Sequence, residues 1–174
     1  MAEQLEKLLK HLKSSPYKKM IVADSISKGE LCVTVEKDDL ADFMTFLRDD
    51  SECLFKVLVD ICGADYPDRE ERFDVVYNLL SLAHNMRLRI KVSVDEDVFV
   101  PTVTEVFATS MWFEREIWDM YGIPFEGNSD LRRLLTDYGF TGHPLRKDFP
   151  LTGHNEVRYS EDKKKVISEP VKLE

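Results

Sequence analysis

The residues best equipped for chemistry lie together in FEREIWDMYG (113–122). On a helix, Glu116 and Asp119 stand at i, i+3 and Arg115 and Asp119 at i, i+4, so the charges share a face. Two carboxylates that close push their proton affinities apart, which lets one act as a general acid and the other as a base. The same spacing has a plainer reading, in which Arg115 sits between the acids as their counter-ion and the cluster anchors the helix. No nucleophile or metal-ligand spacing accompanies them, so the plainer reading is the expectation. A second cluster is cationic. Arg132-Arg133 and Arg146-Lys147 suit an anion, but Asp130, Asp137 and Asp148 are interleaved with them. Ion pairs within the chain or across a boundary between subunits are at least as well supported.

Other chemistries lack their motifs. There is no G-x-G-x-x-G, no G-x-x-x-x-G-K-[ST] and no H-E-x-x-H. His11, His84, His143 and His154 are too scattered to suggest zinc. Cys32, Cys53 and Cys62 form no CxxC and are odd in number, which reads as reduced thiols in structural, buried positions. A net charge of −9 argues against general nucleic-acid binding. The acid excess sits in residues 1–127, with 15 Lys/Arg against 25 Asp/Glu, whereas 128–174 is near neutral. The start, MAEQLEKLLKHLKSS, has the pattern of neither a signal nor a transit peptide. No apolar run approaches the roughly 20 residues of a membrane span, so membrane association is expected only through partners.

The elements that must position these residues follow from periodicity. Leu5, Leu8, Leu9 and Leu12 make one stripe of a short helix, and Leu40, Phe43, Met44 and Leu47 a second, with Asp38 as its N-cap. MIVAD (20–24) and ELCVTVE (30–36) read as a hairpin through Ser27-Lys28-Gly29. LFKVLVDIC (54–62), apolar on both faces as a central strand would be, then FDVVYNLLSL (73–82) and the alternating MRLRIKVSV (86–94) read as an antiparallel meander. A helix is expected from about 102 to 121. The fold class is therefore α+β, a largely antiparallel sheet with helices on one face. Residues 1–121 are expected as the globular domain and 122–174 as an extended, irregular C-terminal arm. Within that arm, TDYGFTGHPLRKDFPLTG (136–153) combines three glycines and two prolines with three aromatics, so it should follow an irregular path yet pack against something.

EREIWDMYGIPFEGN followed by SDLRRLLTDYGFTGHPLRKDFPLTG resembles the signature of the 30-kDa-type core subunit of proton-pumping NADH:quinone oxidoreductase, respiratory complex I. LVDICGADYPDREERFDVVYNLLSL and RLRIKVSV are similar to the same family, so the resemblance covers about 38–173. It implies a peripheral subunit that binds no flavin, iron–sulfur cluster or quinone, in a complex that carries FMN and iron–sulfur clusters. It also implies an arm wrapped along the 49-kDa-type quinone-site subunit, on the cytoplasmic side of a bacterial inner membrane or the matrix side of the mitochondrial one. Carried over by position, the implied interface residues are Glu114, Arg115, Glu116, Asp119, Tyr121, Arg132, Arg133, Tyr138, Phe140, His143, Arg146, Lys147 and Phe149. Arg146 is expected to matter more for assembly than for the fold of residues 1–121. The chain departs from the family at Asn128-Ser129, where His-Pro is usual, which removes any histidine role at 128. Three other readings remain beside this one: a component of a plastid-type dehydrogenase or membrane-bound hydrogenase, an acid–base enzyme using Glu116 and Asp119, and an anion-binding module using the four cationic residues.

Overall fold

A computed structural model describes residues 2–171. Helix α1 (Ala2–Ser14) buries Leu5, Leu8 and Leu12 along its apolar stripe. Ser15 stops it: its hydroxyl donates to the Leu12 carbonyl at 2.7 Å and accepts the Tyr17 N–H at 3.2 Å, and Pro16 opens a short 3-10 turn. Strands β1 (Ile21–Ser27) and β2 (Glu30–Val35) form the expected hairpin, β1 running three residues further than its apolar run. Lys28 and Gly29 both take positive φ, the geometry that matches a two-residue turn to strand twist.

Helix α2 (Leu40–Asp49) buries the predicted stripe of Leu40, Phe43, Met44 and Leu47. Each such side chain contributes about 1.5–3 kcal/mol through removal from water. Asp38 is not its N-cap. Residues Lys37–Asp39 form a 3-10 turn, and the boundary residue Asp39 makes no side-chain cap.

Strands β3 (Val57–Asp65), β4 (Phe73–Ser81) and β5 (Met86–Val94) form the antiparallel meander, and β5 then pairs in parallel with β2. The sheet order is β1-β2-β5-β4-β3, so β3 is an edge strand rather than a central one. Its second apolar face is in part left to solvent, with Val59 49% exposed and Cys62 exposed. The expectation that all three cysteines are buried holds for Cys53; Cys32 is half-buried.

Alternation sorts the meander into two faces. Phe73, Val75, Tyr77 and Leu79 share the core face with Leu88, Ile90, Val92 and Val94, while Asp74, Asn78, Arg89 and Lys91 point the other way. The opposite face is held by ion pairs: Asp74 receives Lys91 at 2.7 Å, Arg69 at 2.5 Å and the Ser93 hydroxyl at 2.9 Å.

The third helix, α3, covers only Ser110–Tyr121. Residues 102–109 are loop and turns instead of helix. Thr102, Val103 and Thr104 are β-branched, and the first two are tied by hydrogen bonds to the side chain of Glu114. α3 packs against β3, where the ring of Tyr121 lies over Gly63. A Cβ on Gly63 would stand 2.6 Å from that ring, so glycine is what permits the approach. Beyond α3 the buried core continues: Ile123 and Phe125 are both inside, and β7 (Phe125–Glu126) pairs in parallel with β6 (Val100–Pro101). Residues 127–154 are irregular, but the segment after them is not. β8 (Asn155–Ser160) and β9 (Lys165–Pro170) form an antiparallel hairpin, so the arm ends in regular structure.

Candidate functional site

The charged residues of α3 share one short helix and go to separate tasks. Glu114 is buried, and its carboxylate accepts the Val103 N–H at 2.9 Å, the Thr102 hydroxyl at 2.6 Å and the Asn128 amide at 2.8 Å. It joins the loop before α3 to the loop after it. The same Asn128 accepts the Asp130 N–H at 3.0 Å, which gives position 128 a hydrogen-bonding role without histidine.

Arg115 is not the counter-ion of Glu116 and Asp119. It is buried and donates to the carbonyls of Arg132 at 3.2 Å and Arg133 at 3.0 Å and to Asp130 at 3.3 Å, with its guanidinium 5.1 Å from the centre of the Trp112 ring. Those acceptors come from the arm, which helical spacing cannot reveal. Glu116 is exposed and Asp119 fully buried, so the two acids do not form a pair for proton transfer.

Asp119 is the centre of the site. Its carboxylate accepts Arg133 at 2.9 Å, the N–H groups of Leu134, Leu135 and Thr136 at 2.9, 2.8 and 3.0 Å, and the Thr136 hydroxyl at 2.6 Å. Burial alone would raise its proton affinity. The donors from Arg133, Thr136 and Leu134 outweigh burial and hold the carboxyl well below the usual carboxylate range. A group held that firmly ionised does not carry protons near neutral pH. Its chemistry is structural: one carboxylate gathers residues 133–136 into a turn against the helix.

The end of α3 is closed by the arm as well. Gly122 is left-handed, with φ of 79°, and its N–H reaches the Trp118 carbonyl at 2.8 Å. The next three carbonyls take donors from further along the chain: His143 Nδ1 to Asp119 at 3.0 Å, the Leu145 N–H to Met120 at 3.0 Å and Arg146 Nε to Tyr121 at 2.5 Å. All four terminal carbonyls of the helix are therefore satisfied, and an arginine stands at the negative end of its dipole. A Cβ on Gly122 would lie 2.7 Å from both the His143 ring and the Arg146 guanidinium. Burial lowers the His143 pKa, and the nearby Arg146 and Arg133 add to the effect, against the Asp119 carbonyl that favours its N–H.

A second tether lies at the sheet. Arg72 donates to both oxygens of Asp65 at 2.7 and 2.9 Å, to Glu96, and to Asp148 at 3.1 Å, while the Lys147 N–H reaches Asp65 at 2.7 Å. β3, the start of β4 and the arm thus meet at one guanidinium. Phe149 sits against Gly142, with Phe140 and His154 as ring neighbours at 5.9 and 5.2 Å.

The residues singled out by sequence fall into two groups. Glu114, Arg115, Asp119, Tyr121, Arg133, His143, Arg146 and Phe149 are wholly or partly enclosed within the chain. Glu116, Arg132, Tyr138, Phe140 and Lys147 face outward, Tyr138 being 96% exposed. Spacing gave no signal for Asp65 and Arg72, whose partners are distant in the chain, or for Leu135 and Leu151, which are exposed on the arm as Tyr138 is.

The family described as respiratory-chain NADH dehydrogenase, 30 Kd subunit, matches residues 33–155, from β2 through the α3 network to the end of the irregular arm. The chain belongs to this family. Curated relatives of the family extend the match. The C subunit of NADH-quinone oxidoreductase from Paramagnetospirillum magneticum is 61% identical over 145 residues, covering 83% of this chain and 73% of its own length. Its counterpart in Rhodospirillum rubrum is 60% identical over 153 residues, or 88% and 72% of the two chains. That of Xanthobacter autotrophicus is 53% identical over 173 residues, or 99% and 82%. Among the described residues no helix is long and apolar enough to cross a membrane.

Proposed function

We propose that this chain is a core subunit of the hydrophilic arm of NADH:quinone oxidoreductase, with no active site of its own, holding its neighbours in register. Membership of the 30 kDa subunit family is the observation that carries the reading. The state of the chemistry-bearing residues supports it: Glu114, Arg115, Asp119 and Arg133 are all committed to fastening the arm. Of the carried-over residues that face outward, all but Glu116 are aromatic or cationic. Tyr138, Leu135 and Leu151 are 96%, 62% and 104% exposed, and large exposed apolar side chains along one segment suit an interface with a neighbouring protein.

The partner is the 49-kDa-type quinone-site subunit, met by Glu116, Arg132, Tyr138, Phe140 and Lys147. FMN and the iron–sulfur clusters belong to other subunits, and the assembly lies on the cytoplasmic side of a bacterial inner membrane or the matrix side of a mitochondrial one. Removing the gene and complementing it with a tagged copy tests this. Membranes without the chain should lose NADH:quinone activity, and the tag should recover the quinone-site subunit. Undiminished activity without it, with the tagged chain recovered alone, would overturn the proposal.

A further inference from the structure

Away from the arm, folding gathers three side chains that the sequence scatters. His11 on α1, Asp50 at the C-cap of α2 and Cys53 in the turn beyond it bring Nε2, a carboxylate oxygen and Sγ within 4.8 Å of one another. His11 Nε2 is 2.9 Å from Asp50 Oδ1, and Cys53 Sγ lies within 4.8 Å of the ligand atoms of both. We infer that these residues form a site for one zinc-class divalent cation, with His11, Asp50 and Cys53 as ligands and water completing a tetrahedron.

The donor set carries the choice of metal. Imidazole nitrogen with thiolate sulfur selects zinc-class ions, whereas magnesium and calcium take oxygen ligands. Zinc ligands at about 2.0–2.3 Å stand roughly 3.3–3.8 Å apart around a tetrahedron. The His11–Asp50 contact must therefore open slightly and the widest separation close by about an ångström. Charge balances too: one carboxylate and one thiolate neutralise a divalent ion, the thiol proton leaving to solvent as the sulfur–metal bond forms.

The surroundings hold the ligands in place. Asp50 Oδ1 accepts the Glu52 N–H at 3.0 Å, and the Cys53 N–H donates to the Asp50 carbonyl at 3.1 Å, so the turn fixes both residues. The His11 ring lies stacked beside Phe46 at 6.3 Å and 23°. Cys53 is buried in the core, while a cavity of about 340 Å³ lined by His11, Glu52, His84 and Met86 adjoins the site on its His11 side. A Lys7–Glu52 pair at 3.9 Å stands near its mouth.

Titration of the full-length chain with Co2+, followed by optical absorption, tests the site. One equivalent should give the near-ultraviolet thiolate-to-cobalt charge-transfer band and visible bands of tetrahedral intensity, all abolished by Zn2+. Cys53→Ala should remove the charge-transfer band, and His11→Gln should weaken binding by about tenfold or more. His11 is half-exposed, so His11→Gln keeps the fold, checked by circular dichroism, should Cys53→Ala disturb the core. A Cys32→Ser/Cys62→Ser background should leave the spectrum intact. Absence of the band, its persistence in His11→Gln at unchanged affinity, or its loss in the Cys32/Cys62 background would overturn the assignment.

Discussion

Asp119 and Arg133 meet twice through one nitrogen: Arg133 Nη1 lies 2.9 Å from the Asp119 carboxylate and 3.2 Å from the same residue's carbonyl. The guanidinium also reaches the carbonyls of Gly142 at 2.9 Å and Phe140 at 3.2 Å, so a single pair binds α3 to two further points of the arm. Removing one member of such a buried pair leaves a charge without its partner, a cost of about 3–5 kcal/mol. Asp119→Ala and Arg133→Ala should each approach that loss in urea unfolding of the chain. The double variant should cost less than the two single losses together, by at least about 1 kcal/mol. Simple additivity would show that the pair is not the coupling.

Acid should loosen the same contacts. The carboxyls of Asp119, Asp65, Asp74 and Asp148 are all held below their ordinary pKa in the folded chain. Arg72 does this for Asp65 and Asp148. At Asp74, burial opposes the shift and is outweighed by Lys91 and Arg69. A depressed folded pKa stabilises above the unfolded value, about 3.9 for Asp, and that stability is lost as pH falls towards the folded value. Stability should therefore decline steeply below about pH 4, and Asp119→Asn should flatten part of the decline. An equally steep decline in Asp119→Asn would count against the assignment.

His143 works in a higher pH window. Its folded pKa is lowered, chiefly by burial, so the unfolded chain takes up a proton first as pH falls. Folding stability should begin to fall below about pH 6.5, the unfolded value, and continue until the folded imidazole also protonates. His143→Gln, which keeps a donor for the Asp119 carbonyl, should remove this component while leaving the acid decline of the aspartates. Urea midpoints of both proteins between neutral and mildly acid pH read the difference directly.

At Gly63 the prediction is steric. Its φ is not in the left-handed region, so alanine is acceptable to the backbone and only the Tyr121 ring at 2.6 Å objects. Gly63→Ala should cost about 1–3 kcal/mol as an overpacked contact. Adding Tyr121→Ala, itself destabilising, should relieve the clash, so that Gly63→Ala costs little in that background. A full cost in both backgrounds would place the penalty elsewhere.

Arg146 and Tyr138 should separate folding from assembly. Arg146, expected to matter more for assembly than for the fold, also has contacts within the chain: a 2.5 Å bond to the Tyr121 carbonyl and a place over the Phe73 ring at 5.2 Å. Arg146→Ala should destabilise the isolated chain by about 1–2 kcal/mol. Tyr138 touches solvent almost everywhere, so Tyr138→Ala should change chain stability by less than about 0.5 kcal/mol yet weaken recovery of partner subunits. Thermal melting and quantitative pull-down distinguish the two.

Much of the fold was legible because it rests on local periodicity. The leucine stripe of α1, the Leu40–Leu47 stripe of α2 and the alternation of β5 each state their own geometry within a few residues. Where neighbours far along the chain intervene, local pattern misleads. β3 looks central because both its faces are apolar, yet it lies at an edge. The helix expected from 102 is shortened, Glu114 tying Thr102 and Val103 into the loop before it.

The site divides on the same line. Residue types and helical spacing alone brought attention to Arg115, Glu116 and Asp119, and a long motif marked Glu114 and the arm. Their partners were beyond reach of spacing. Asp119 finds Arg133 and Thr136 in place of Arg115, the α3 terminus is closed from His143 to Arg146, and Arg72, just before β4, holds Asp148. His11, Asp50 and Cys53 looked like three unrelated residues until α1 packed by the end of α2. Periodicity and turn chemistry act over a few residues and can be read in order along the chain. Hydrogen-bond partners and ligand sets are chosen by which segments collapse together, and that choice exists only once the core has formed.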